Sequence, residues 1–148
     1  MIDNRTGHSY MVLNTSVFSH SLHKFECAKH GAILPEPKNE EENNFLASLN
    51  TSMFFLGLVR HGEKEWRWES DNTTVGWTLW LSALGEPDGG AAQSCTLMLR
   101  SLFDDQAGHR PEGWASMQCL TPLYDGYPKN IVCQKKGSLL VFIVSRII

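Results

Sequence analysis

The sequence predicts an α+β domain cross-linked by disulfides, and three observations predict it. Helix-like patterns come first and a series of short strand patterns follows, rather than the alternation of an α/β chain. Four cysteines, Cys27, Cys95, Cys119 and Cys133, are even in number and widely spaced. Residues 70–94 are rich in Gly, Asp, Asn and Pro and lack a regular period, yet they hold Trp77 and Trp80, which a disordered segment seldom does. At 148 residues the chain makes one domain that can bury a core unaided. Disulfides therefore speak of an oxidising compartment more than of structural need.

His8 to Leu13 reads as an opening strand. Thr15 to His30 carries Val17, Phe18, Leu22, Phe25 and Cys27 at mostly helical spacing, with Ser16 as its N-cap and Gly31 at its stop. Ile33-Leu34-Pro35 is extended. A second helix starts at Asn39-Glu40-Glu41-Glu42, where Asn39 caps, Glu42 takes the capping-box position and acidic side chains suit the helix dipole. Phe45, Leu46 and Leu49 form its apolar face. Met53 to Val59 is a continuous apolar run and reads as a buried strand. Glu65 to Glu69 alternates around Trp66 and Trp68 and reads as another. Cys95 to Leu99, Ala115 to Cys119 and Asn130 to Gln134 complete the strands.

Composition excludes several functions. A net charge of −3 leaves no basic footprint for nucleic acid and no polybasic membrane patch. Gly89-Gly90 lacks the lysine and the flanking elements of a phosphate loop. Zinc ligands cluster closely, and these cysteines do not. His20 and His23 share a helix face and read as solvated surface histidines, and Asp104-Asp105 as a solvated turn. No activated nucleophile or acid–base pair is legible, so the chain reads as a non-catalytic protein.

Four asparagine sequons, at Asn4, Asn14, Asn50 and Asn72, join the cysteine count in pointing to the secretory pathway. Residues Met1 to Tyr10 carry no apolar signal segment. Leu139 to Ile148 is apolar but broken by Arg146 and shorter than the about 20 residues of a membrane span. It reads as a terminal strand or tail, so membrane association would need a segment beyond it.

The order of these pieces resembles the C-type lectin-like domain family from about residue 7 to residue 136, with residues 137–148 as an apolar tail. Cys27 to Leu34 is similar to that family's link between its two helices, and Glu40 to Leu46 to its second helix. Phe55-Leu56-Gly57-Leu58 stands at its core strand. Trp66-Arg67-Trp68, Trp80, Gly85-Glu86-Pro87-Asp88, Cys95, and Trp114 shortly before Cys119 follow in the family's order. Four cysteines alone allow three connectivities. The resemblance implies Cys27–Cys133 and Cys95–Cys119, two helices packed on short antiparallel sheets, and a long irregular loop that recognises a ligand.

In that family the long loop carries a calcium ion that ligates sugar hydroxyls. The resemblance places Glu86 and Asp88 at two ligand positions around Pro87, whose preceding bond is cis in the family. Gln93 stands at an acidic position and keeps an oxygen without the charge, while Ala115 and Ser116 replace an Asn-Asp pair. Gly89 and Ser94 stand where the auxiliary calcium site expects acids. Calcium takes six to eight oxygens and favours charged ones, so the implied site at Glu86, Asp88 and Gln93 binds calcium weakly or not at all unless Glu69, Asp71 or Asp104 fills the gap. Glu86-Pro87-Asp88 mixes the family's mannose-type and galactose-type tripeptides and assigns neither. Trp66, Trp80 and Trp114 read as core, Trp68 and Trp77 as freer, with Trp77 a ligand contact. The expectation is an extracellular or ectodomain module that binds glycans through Glu86, Asp88, Gln93, Trp77 and Ser116. The other reading is recognition of an extracellular protein by a scaffold that has lost sugar binding.

Overall fold

The computed structural model describes residues 2–3, 6–15, 19–49, 53–100, 112–120 and 130–135. The sequons at Asn4 and Asn50, the Asp104-Asp105 pair and the 137–148 tail lie outside them. Strand β1 (Ser9–Asn14) pairs antiparallel with the last strand, β6 (Asn130–Lys135). A second, antiparallel sheet runs in the order β3 (Trp66–Trp68), β2 (Met53–Arg60), β4 (Cys95–Arg100), β5 (Glu112–Met117). The β2–β4 register shifts between Leu56 and Val59. Two helices, α1 (His20–Ala28) and α2 (Glu40–Ala47), precede that sheet in the chain.

Helix α1 begins later than the sequence suggests. Its cap is Ser19, whose hydroxyl accepts from the Leu22 amide at 3.3 Å, not Ser16. The His20 amide, which an isolated helix would leave unpaired, donates to the Cys119 carbonyl at 2.9 Å. A tertiary contact thus helps fix where the helix begins. Gly31 does end this segment, at φ 66°.

Helix α2 starts as predicted. Asn39 Oδ1 accepts from the Glu42 amide at 2.9 Å. The return bond differs by one position, because Glu42 Oε2 accepts from the Lys38 amide at 2.8 Å instead of from Asn39.

Histidines 20 and 23 are not solvated. His23 is fully buried and His20 nearly so, both edge-on to Phe55 at 5.1 and 5.6 Å. His20 Nε2 lies 2.7 Å from Glu69 Oε1, and Lys24 Nζ lies 2.6 Å from Glu69 Oε2. Burial alone would push the Glu69 carboxyl up, but the bonds from His20 and Lys24 outweigh it and hold it below the usual range. Their shared face on α1 is an inner face, which polarity in the sequence conceals.

Two apolar clusters form the core. One gathers Tyr10, Leu46, Phe54, Leu56, Trp68 and Trp114 between α2 and the larger sheet. The other surrounds the cross-links with Leu34, Phe55, Leu97 and Ile131. Disulfides join Cys27 to Cys133 and Cys95 to Cys119, the pairing the resemblance implies. Trp114 is completely buried, with Trp68, Trp77 and Trp80 edge-on around it at 5.6 to 6.0 Å. Trp68 is buried too, so it is core and not free.

Candidate functional site

The long loop is ordered by what it lies against. The Trp114 amide donates to the Leu79 carbonyl at 2.8 Å, and the Leu81 amide to the Trp114 carbonyl at 2.9 Å. Residues 79–81 therefore run along β5 as a short parallel bridge at Trp80. Such close approach needs a residue without a side chain beside it. A Cβ on Gly113 would stand 2.7 Å from the Leu81 side chain and 2.8 Å from the Leu79 carbonyl. Short 3₁₀ turns at Ser82–Leu84 and Gly90–Ala92 frame the segment between, where the Glu86–Pro87 peptide is cis.

This path brings Glu86, Asp88 and Gln93 of the loop onto Ser116 of β5. The Asp88 amide donates to Ser116 Oγ at 2.8 Å. Around the same hydroxyl lie the Asp88 carbonyl at 2.9 Å, Asp88 Oδ1 at 3.1 Å, and the two Glu86 carboxyl oxygens at 3.3 and 3.4 Å. The Gln93 amide completes the ring. Hydrogen-bond logic turns its nitrogen inward, where it donates to Ser116 Oγ at 3.0 Å, to the Ser116 carbonyl at 3.2 Å and to Asp88 Oδ1. Gly89 makes room for this. It sits at φ 72°, and a Cβ there would meet the Gln93 side chain at 2.3 Å.

Four of the five predicted ligand-binding residues thus converge. Trp77 does not join them. Its ring packs on Trp114 at 5.6 Å as a partly buried part of the core, because residues 77–80 are drawn onto the sheet. Glu69 and Asp71 also stay away. Glu69 is held by His20 and Lys24, and Asp71 accepts from Thr73 at 2.7 Å and lies 3.5 Å from Lys38. Asp104 lies outside the described residues.

The carboxyls of Glu86 and Asp88 face each other. Burial first, then the Asp88 charge, pushes the Glu86 carboxyl up to about 7 from an ordinary 4.5. The raised value means that the protonated form belongs to the folded loop. Its contribution to stability is full below pH about 4.5 and drains away as pH rises through about 7. Solvent reaches the pair and keeps that slope shallow. Glu86→Gln, which carries the neutral form at every pH, should therefore match the parent below pH about 4.5, gain modestly on it towards pH 7 and flatten the slope between these values. Urea unfolding across the range reads it; a slope that persists in the variant would place the proton elsewhere.

The donor set fits a firm calcium site poorly. It offers only two carboxylates, those of Glu86 and Asp88, and a neutral amide and hydroxyl close the ring. Among the described residues no group of three or more His, Cys, Asp or Glu side chains is placed to hold a metal. The hydroxyl of Ser116 has acids and an amide as its partners among the described residues.

Beside this cluster opens a cleft of about 580 Å³, in the size range of ligand sites. Arg60, Lys64, Trp66, Trp80, Pro87 and Asp88 are among its walls. Arg60 was not legible as a site residue. Its guanidinium stacks 4.5 Å from the Trp66 ring centre and bonds the loop backbone. A lone arginine at the end of an apolar strand gives no local signal of that role. A second concavity, of about 510 Å³ against β1 and β6, has a mostly apolar lining without a carboxylate.

Fold and disulfide pairing together define a C-type lectin-like domain. The Lectin C-type domain family matches residues 20–135, and the chain belongs to that family. By structure it is similar to the C-type lectin domain of murine dendritic cell inhibitory receptor 2 in complex with N-glycan. Identity is 30%, the match covers 88% of this chain and 91% of that one, and the TM-score is 0.69. The mouse scavenger receptor C-type lectin carbohydrate-recognition domain follows at 21% identity, 92% and 95% coverage and a TM-score of 0.66. A Ca²⁺-dependent type II antifreeze protein in its Ca²⁺-free form aligns at 23% identity, 88% and 93% coverage and a TM-score of 0.65. No curated protein matches the chain by sequence. The family often binds calcium, and its fold is typically non-enzymatic.

Proposed function

We propose that the chain is an extracellular recognition module, secreted or part of an ectodomain, that binds glycans on its long-loop face with weak or absent calcium dependence and without catalysis. The observation that carries this reading is the cleft beside the Ser116 cluster. Trp80 offers an aromatic wall there, and Asp88, Lys64 and Thr78 offer polar groups to sugar hydroxyls. The 30% identity to a domain solved with an N-glycan supports it. Asn14 and Asn72, both exposed, are the candidate glycosylation sites among the described residues.

The closed ring around Ser116 supports a second reading, in which the same face recognises a protein. The Ser116 hydroxyl and the Gln93 amide already take up part of its acceptor capacity, so less is free for sugar hydroxyls.

Calorimetric titration of the oxidised protein with calcium should give no saturable heat up to millimolar concentration. A glycan array run with calcium and with chelator should give the same bound set in both. Saturable calcium binding, or array signals abolished by chelator, would return the chain to metal-dependent sugar recognition. An array blank in both conditions would favour the protein partner.

A further inference from the structure

We propose that Arg60 is the resident cation of the recognition loop, a positioning residue whose guanidinium holds residues 88–93 in shape without a metal ion. The inference rests on reading the long-loop face as the recognition face, but not on which ligand it takes.

A guanidinium presents five N–H donors in a fixed plane. Here three of its nitrogens each reach a different backbone carbonyl. Nη2 donates to Asp88 at 3.0 Å, Nε to Gln93 at 3.3 Å, and Nη1 to Glu63 in the turn between β2 and β3. Two of these carbonyls flank the Gly90–Ala92 turn, so one cation spans its two ends. The Arg60 amide adds a bond to the Ser94 carbonyl at 2.9 Å. Trp66 supports the guanidinium face at 4.5 Å and leans in turn on Trp80 at 4.8 Å. Among the described residues no carboxylate lies within ion-pair reach of Arg60, so carbonyl dipoles balance its charge.

The residues gripped are informative. Asp88 and Gln93 are the same residues whose side chains ring Ser116. Arg60 fixes their main chain from one side while Ser116 gathers their side chains on the other. Two glycines, Gly89 and Gly90, both at positive φ, and two alanines, Ala91 and Ala92, separate them. That stretch brings no large side chain to pack, so its shape depends on bonds made at its ends.

Hydrogen–deuterium exchange of the disulfide-intact full chain tests this. In the parent protein, exchange of residues 88–93 should be the same with millimolar calcium and with chelator. In Arg60→Ala it should quicken there by about tenfold or more, since bonds to a charged donor are lost, while β1 and β6 keep their protection. Millimolar guanidinium ion, far below denaturing levels, should restore part of that protection.

Unchanged exchange over 88–93 in the variant would overturn the proposal. So would a parent loop that calcium slows about tenfold, a size that marks a metal-organised segment. Loosening that guanidinium ion leaves unrelieved would assign the effect to the lost stem over Trp66, and would overturn it too. If the alanine variant does not fold, Arg60→Lys serves instead. One ammonium cannot span the three carbonyls, so the same segment should loosen, and parent-like protection counts against the fork. A glycan array that fails leaves this readout untouched, so failure of the functional reading and failure of this one are distinguishable.

Discussion

Replacing Trp114 by alanine is expected to cost about 3–5 kcal/mol of folding stability. Its ring is fully buried and is the common neighbour of Trp68, Trp77 and Trp80. Truncation opens a void that three large rings cannot close without leaving their own contacts. The indole also ties sheet to helix, since Nε1 donates to Asn43 Oδ1 at 2.8 Å and Asn43 is itself buried. Trp114→Phe keeps most of the volume and leaves that oxygen without its donor, at a cost of about 1–3 kcal/mol. Urea unfolding should show both losses as lower midpoints with little change in slope. A loss below about 1 kcal/mol for the alanine variant, well under the usual cost of emptying an aromatic site, would mean that the rings around it collapse inward. The consequence reaches the long loop, because residues 79–81 lie on the Trp114 backbone.

Removing the Cys27–Cys133 bridge is expected to cost more than removing Cys95–Cys119. The first closes a sequence separation of 106 and the second one of 24. In the chain-entropy picture these correspond to about 4–5 and about 3–4 kcal/mol respectively. Paired alanine variants, Cys27→Ala with Cys133→Ala and Cys95→Ala with Cys119→Ala, compared by denaturation under non-reducing conditions, give the order. A reversed order would show that local contacts of the shorter bridge outweigh loop length. The shorter bridge bears on the long loop through β4, because Cys95 directly follows Ser94, whose carbonyl accepts from the Arg60 amide.

Much of this fold is written locally, and the exceptions share a cause. The strands at Met53–Arg60 and Asn130–Lys135 follow from apolar runs, and α2 follows from Asn39 and its acidic first turn, since each is decided by neighbours in sequence. The start of α1 is not. Ser16 and Ser19 are equally good caps, and the Cys119 carbonyl, distant in the chain, helps fix where the helix begins. Burial of His20 and His23 hangs on Phe55 and Glu69, which are equally remote. The cluster of Glu86, Asp88, Gln93 and Ser116 was readable through the order of family motifs, because those motifs encode a loop path that periodicity does not. The packing of Trp77 leaves no local signal, since an aromatic residue in a loop looks the same whether its ring faces water or Trp114. Arg60 was missed because its partners are backbone carbonyls, which every residue type carries and which therefore leave no mark in a sequence.

Strand β1 opens the described fold and β6 ends it, and the two lie side by side with Ser9 opposite Lys135. Polypeptide arriving at the domain and polypeptide departing from it thus share one threshold. A module built this way can be threaded into a longer protein as a bead on a string, its neighbours never having to stretch around it.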